Sequence, residues 1–315
     1  DLRQAAKDSS QVKGLTHNFY RYPARFSPQF AATAIELFSK PGDVVLDPYM
    51  GGGTTLVEAI ASGRRGIGVD LNSLAVFIAK VKTTPLFDHQ IKAIVGWAAD
   101  CRDSLSYRAN AGTLADFIDR DRTKNMSLYH ARYLKKIIAH SLLKADTCLH
   151  TKKEQEFARC AILKTAQWAL DGRRRQVSVG QFREKLFDNV REMVTQIKDF
   201  RDQAEPFKLG KSRRNLLQLD SSRLHRHSYF QNPANKASLV VTSPPYPGVH
   251  ILYHRWQING RRETPAPYWI ANCLDGQGDS FYNFGSRHPP NLKTFCDTSL
   301  RTLKFIHEIF NSGAY

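Results

Sequence analysis

Apolar residues in this chain recur in two rhythms. Val44-Val45-Leu46 and Gly66-Ile67-Gly68-Val69 are short unbroken runs, the pattern of strands buried on both faces of a parallel sheet. Between and after them the spacing turns helical. Ser27-Pro28 reads as an N-cap with proline in the first turn of a helix through Phe38, which Pro41-Gly42 breaks. Thr54 to Ser62 reads as a second helix, and Asn72 caps a third that runs to about Lys82. This β-loop-α-β-α unit opens a doubly wound α/β sheet.

From Pro85 to about Pro206 the strand rhythm disappears. Segments near 89–106, 127–145, 151–170 and 178–204 repeat at helical spacing, as in Phe182, Leu186, Val190, Met193 and Val194. Strand signals return at Leu216 to Asp220 and at Leu239-Val240-Val241, and a last helix is expected over 291–310. The division that follows is a core part at 1–84, a helical insertion at 85–206 and a second core part at 207–315. The first dozen residues are polar and read as a loose arm. The final helix and Ser312-Gly313 point towards a further strand, so the sheet reads as incomplete, to be finished by another segment or subunit.

Charge narrows the partners. Lys+Arg is 46 against 29 for Asp+Glu, a net +17, which favours a polyanion and first of all nucleic acid. Clusters at Arg173-Arg174-Arg175 and Arg261-Arg262 are candidate contacts, with solvated turns as the plainer reading. The five cysteines are odd in number and scattered, without a CxxC pair, so reduced thiols in a cytosol are expected and no metal site. No apolar run has membrane-spanning length.

Two loops carry the chemistry. Asp47-Pro48-Tyr49-Met50-Gly51-Gly52-Gly53 follows the first strand and leads into a helix at Thr54. Glycines there let backbone approach a ligand, yet the lysine of a triphosphate-binding P-loop is missing. Asp70 ends the next strand about twenty residues on, where a carboxylate can accept ribose hydroxyls, so an adenosine-type ligand is indicated. The second loop is Thr242-Ser243-Pro244-Pro245-Tyr246, where two prolines halt a strand between a hydroxyl and an aromatic ring.

These motifs resemble those of amino-group DNA methyltransferases. The first loop is similar to D-P-F-x-G-x-G with Tyr49 in the phenylalanine position, and TSPPY is similar to [DNS]-P-P-[YFW]. His17 to Phe26 resembles the cofactor-binding segment that often precedes them. The resemblance covers residues 17–83 and about 214–256. It implies S-adenosylmethionine, with Gly51 and Gly53 beside its methionine, Asp47 near its amino group and Asp70 on the ribose. Asp220 is the candidate for the adenine amine, or else a turn cap, and Pro23 and Phe26 are candidates for the methionine end. Pro48, Tyr49 and Thr54 complete the candidate cofactor set.

The resemblance also implies the reaction. An exocyclic amine is a poor nucleophile until acceptors draw its hydrogens aside; Ser243 and the Pro244 carbonyl are the candidates, stiffened by Pro245. Tyr246 offers a stacking face to a flipped-out base in double-stranded DNA. In the family S-P-P-Y is associated mainly with cytosine N4, so that base is favoured over adenine N6. An RNA methyltransferase and an inactive DNA-recognition subunit are the alternatives, and a bacterial restriction-modification or phage-defence setting is implied by the family alone. No cysteine follows a proline, which disfavours carbon-5 cytosine chemistry. Val249 to Gln257 is read either as a cover for the base, with Tyr253, Arg255 and Trp256 on DNA, or as an amphipathic helix packing Ile251, Leu252 and Trp256 inward.

Overall fold

A computed structural model describes residues 1–7, 12, 14–22, 27–108, 114–115, 117–127, 129–173, 175–208, 210–244, 255–258, 262–274 and 289–310. The first part of the chain forms α1 (Leu2–Lys7), α2 (Pro28–Phe38), β1 (Val44–Asp47), α3 (Thr54–Ala61), β2 (Arg65–Asp70) and α4 (Ser73–Lys82). Four long helices follow: α5 (Asp88–Ser104), α6 (Tyr129–Cys148), α7 (Lys152–Leu170) and α8 (Val179–Ala204). The chain then returns to the sheet with β3 (Arg214–Gln218) and β4 (Leu239–Val240). It continues through β5 (Trp256–Ile258), β6 (Arg262–Thr264), α9 (Ala266–Ala271) and α10 (Pro289–Glu308).

The main sheet is parallel throughout, in the order β3-β2-β1-β4. All four residues of β1 are buried, as a central strand of β-branched and aliphatic side chains requires. Val44 and Leu46 face one side with Ile67, Val69 and Leu217, while Val45 faces the other with Ile35, Ala59 and Leu239. The chain steps outward from β1 to β2 to β3 and then returns to the opposite flank of β1 with β4. That reversal at the carboxyl ends of β1 and β4 is the kind of switch point at which ligands of such sheets bind.

Local chemistry sets the helix starts. The Ser27 hydroxyl accepts from the Gln29 amide at 3.2 Å, and the Asn72 side chain accepts from the Leu74 amide at 2.9 Å. The four helices α5–α8 fall within 85–206 and share one apolar cluster with α3, α4, α9 and β5. On α8, Phe182, Leu186, Val190, Met193, Ile197 and Phe200 are all fully buried. Each contributes on the order of 2 kcal/mol of burial before entropy is counted.

Several expectations change. Residues 2–7 of the expected N-terminal arm form a helix, α1, with Ala5 buried. β3 begins at Arg214, two residues earlier than the apolar signal, where it pairs with Gly66; its guanidinium donates to the Lys80 carbonyl and to the hydroxyls of Thr83 and Thr84 at 2.7–2.8 Å. Residues 256–258 are a strand paired with β6, not the end of a helix. The last helix starts at Pro289, stacks Phe305 on His225, and leaves Phe310 in a parallel bridge with Ala237 just before β4. Among the described residues no helix is long and apolar enough to cross a membrane.

Candidate active site

The glycine loop is shaped by what surrounds it. Gly51 and Gly53 lie in the left-handed region, at φ +45° and +76°. A Cβ on Gly53 would sit 2.9 Å from that of Ala79, and one on Gly52 would sit 2.8 Å from that of Tyr22. All three glycines are therefore required, two for conformation and packing and Gly52 for packing alone. Asp70 ties this loop to the end of β2: its carboxylate accepts from the Gly51 amide at 2.9 Å and from the Asn72 amide at 2.8 Å. Burial pushes the Asp70 carboxyl up to about 6 against the pull of those two hydrogen bonds.

Asp47 joins the two loops. It is 1% exposed; its Oδ2 accepts from the Thr55 hydroxyl at 2.8 Å and its Oδ1 from the Thr242 hydroxyl at 2.7 Å. The Tyr49 amide donates to the same Oδ1 at 3.1 Å. Burial raises its carboxyl to about 6, with these hydrogen bonds opposing and the Asp70 charge adding. Thr55 also lies 3.1 Å from the Val241 carbonyl, and the Val241 amide donates to Leu46. The glycine loop and the start of the TSPPY turn thus meet at one edge of the sheet, with Ser243 half-buried and Pro244 exposed beside them.

The remaining candidates divide. Thr54 is buried at the first turn of α3. The Pro48 carbonyl accepts from the Ser221 hydroxyl. Burial raises Tyr49 to about 12, and its hydroxyl hydrogen-bonds Thr302 of α10, with the Asp220 charge nearby. Asp220 caps the turn Ser221–Arg226 by accepting from the Ser222 amide at 2.9 Å, the plainer of its two readings. Trp256 is 1% exposed and donates to the Tyr20 hydroxyl at 3.1 Å, so its ring belongs to the core and not to a DNA-facing surface. Arg255 is half-buried; Arg173, Arg175 and Arg262 are exposed, with Arg173 resting 4.3 Å above the Trp168 ring. Pro23, Phe26, Arg174, Pro245, Tyr246, Tyr253 and Arg261 lie outside the described residues.

Sequence reasoning passed over Lys82. It is fully buried at the end of α4 and donates to the Gly52 carbonyl at 2.7 Å. Its signal was positional: Lys82 continues the apolar stripe of Ala75, Ile78 and Ala79 on one face of the helix.

A parallel sheet with a glycine loop after its central strand, and a proline-bounded turn after the strand beside it, is the Rossmann-like methyltransferase fold. The family profile described as DNA methylase matches residues 3–81. The chain is 44% identical over 81 residues to Type II methyltransferase M.MvaI of Kocuria varians, covering 25% of this chain and 18% of that protein. It is 33% identical over 79 residues to Type II methyltransferase M.MjaII of Methanocaldococcus jannaschii, 25% of this chain and 15% of that one. With DNA adenine methyltransferase YhdJ of Escherichia coli it shares 39% over 66 residues, 21% of this chain and 22% of that protein. No solved structure matches the chain at a significant level. Residues 3–81, about a quarter of the chain, are thus similar in sequence to amino-group DNA methyltransferases of the N4/N6 kind. The chain spans less than a quarter of the length of each of these three relatives.

Proposed function

We propose that the chain transfers a methyl group from S-adenosylmethionine to an exocyclic amine of a flipped-out base in duplex DNA, with cytosine N4 favoured over adenine N6. The observation that carries this reading is the Thr242–Asp47 hydrogen bond, which holds the acceptor turn beside the cofactor loop. The residues fit the cofactor: the loop is free of Cβ atoms at three successive positions, and Asp70 keeps part of its surface open at the rim. When bound, S-adenosylmethionine supplies an electrophilic methyl on a sulfonium. Asp70 accepts the ribose hydroxyls, and Asp47 acts near the methionine end by fixing the loop that lines it. Ser243 Oγ and the Pro244 carbonyl accept the amine hydrogens, turning the nitrogen lone pair towards the methyl carbon. With the cofactor bound there, the new N–C bond would form as its S–C bond broke, and the amine proton would leave to solvent. Tyr246 stacks on the base.

Residues 1–84 and 207–315 are assigned to the transferase core, and 85–206 to recognition or clamping of DNA. The serine of S-P-P-Y supports N4; the adenine-specific name of one relative keeps N6 as the second reading. The Type II names of two relatives support a role in marking DNA within a restriction–modification pair. Incubation with labelled cofactor and DNA or RNA, followed by digestion to nucleosides, separates the outcomes. N4-methylcytosine is expected. N6-methyladenine moves the assignment to the sibling reaction, label in RNA alone changes the substrate, and DNA binding without transfer leaves an inactive recognition subunit.

Lys82 enters this function through the loop. Lys82→Met is expected to weaken cofactor binding about tenfold, because the Gly52 carbonyl loses a charge-assisted hydrogen bond worth about 1.5–3 kcal/mol. The melting temperature should move little, since the cost of burying an ammonium disappears with it. Calorimetric titration and a thermal melt give both numbers. A lower melting temperature with unchanged affinity would assign Lys82 to the fold alone.

A further inference from the structure

The connection between α5 and α6 brings together four side chains with alternating chemistry. Tyr107 and Tyr133 meet edge to face, their ring centroids 5.1 Å apart at 68°. The Arg108 guanidinium sits 5.6 Å from the Tyr107 ring. The Arg132 guanidinium sits 4.7 Å from the Tyr133 ring and donates to its hydroxyl at 2.7 Å. The result is a row in the order cation, ring, ring, cation. Both arginines are exposed while both tyrosines are half-buried, so the rings act as a floor that orients the cations outward.

More positive charge lies close by. Lys136 is exposed one turn beyond Arg132, and Lys135 donates to the Ser127 hydroxyl at 3.1 Å. Burial, with the Lys136 charge adding to it, holds the Lys135 ammonium below its ordinary value. Nearby in sequence, Asp103 pairs with Arg102, Asp100 with Lys144 and Asp119 with Arg122.

This stretch is also fastened to the rim of the candidate site. Arg122 donates to the Cys273 carbonyl at 2.8 Å, Asn125 to the Glu263 carbonyl at 2.8 Å, and the Trp269 indole to the Phe117 carbonyl at 2.7 Å. The segment they hold reaches the loop after Asp70, where the Tyr268 hydroxyl donates to the Asn72 side chain at 3.1 Å.

We propose that Arg108 and Arg132, held by Tyr107 and Tyr133, form a contact of the helical insertion with the phosphate backbone of duplex DNA. This rests on the methyltransferase reading above and gives the insertion a specific part in it. Phosphate suits the row because planar guanidiniums with restricted rotamers present paired donors to its oxygens, and the chain as a whole is strongly cationic.

The test is the double variant Arg108→Gln/Arg132→Gln, with Arg3→Gln/Lys7→Gln on exposed positions of α1, outside the helical insertion, as the equal-charge control. DNA affinity is measured by fluorescence anisotropy across a salt series, together with cofactor affinity, melting temperature and turnover at saturating DNA. The expected result is about tenfold weaker DNA binding near 0.1 M salt and a slope of log K against log salt shallower by about 2, close to 0.9 per phosphate contact. Cofactor affinity, melting temperature and saturated turnover stay as in the parent, and the control keeps its salt slope. Parent-like affinity and slope in the double variant, or an equal loss in the control, would overturn the proposal. It would leave the row as surface packing while methyl transfer itself stood. Parent protein that neither binds nor methylates DNA would remove the underlying function as well.

Discussion

Ser243→Ala is expected to lower turnover about 100-fold while leaving cofactor affinity and melting temperature close to those of the parent. The turn does not need the Ser243 hydroxyl to hold its place. Thr242 anchors it to Asp47, the Val241 amide is paired with β1, and the Pro244 ring fixes the following φ. Alanine fits the same backbone, so on the proposed mechanism the variant removes one acceptor for an amine hydrogen. The loss should fall on kcat under saturating DNA and cofactor, because the acceptor matters most when the nitrogen has begun to pyramidalise. Ser243→Asn restores a carbonyl acceptor and should recover part of the rate, which a variant acting through misfolding would not do. Single-turnover transfer measured beside calorimetric cofactor binding separates the two. Parent-like turnover in Ser243→Ala would remove this hydroxyl from the mechanism.

The parts of this molecule that could be read from the sequence are those decided within a few residues. Ser27 and Asn72 cap helices because a side-chain oxygen reaches an amide two positions on. Asp47 and Asp70 could be placed at strand ends because the apolar runs stop on them. What escaped depends on partners far along the chain. Lys82 is an ordinary helix-ending lysine until the Gly52 carbonyl, thirty residues earlier, closes over it. Trp256 could have faced either DNA or core, and Tyr20 at the other end of the chain decides for core. Thr242 was visible only as one letter of a motif; its bond to Asp47 exists because β4 returns beside β1, which no local spacing encodes. The Arg108–Tyr107–Tyr133–Arg132 row likewise joins two segments separated by a loop.

Cofactor affinity is expected to fall as pH drops through about 6, while the free protein becomes more stable over the same interval. Both effects come from Asp47 and Asp70, whose carboxyls burial raises to about 6 from an ordinary 3.8. The folded chain then holds protons between about 4 and 6 that the unfolded chain releases. Stability therefore rises as pH falls through the folded value, and the gain is complete near the unfolded one, at about 3 kcal/mol per group. Asp88 and Asp100 act in the opposite direction. Hydrogen bonds from Arg201 and Lys144 hold them below the usual carboxylate range, so their loss of stability begins only under about pH 4. The melting temperature should accordingly peak near pH 4, where the first gain is complete and the second loss begins. The proposed ligand reverses the preference: an ionised Asp70 is the stronger acceptor for ribose hydroxyls, and an ionised Asp47 keeps both oxygens free to hold the loop, so binding below pH 6 must expel protons. Affinity should drop by up to tenfold per pH unit for each group engaged. Calorimetry at pH 5.5 in two buffers of different ionisation heat reads the protons released, and Asp70→Asn should bind cofactor about 10- to 100-fold more weakly with a flatter pH profile. Affinity that stays constant from pH 5 to 7.5 in the parent would detach Asp70 from the ligand, and it would leave the carboxylate with the loop-holding role that Gly51 and Asn72 already give it.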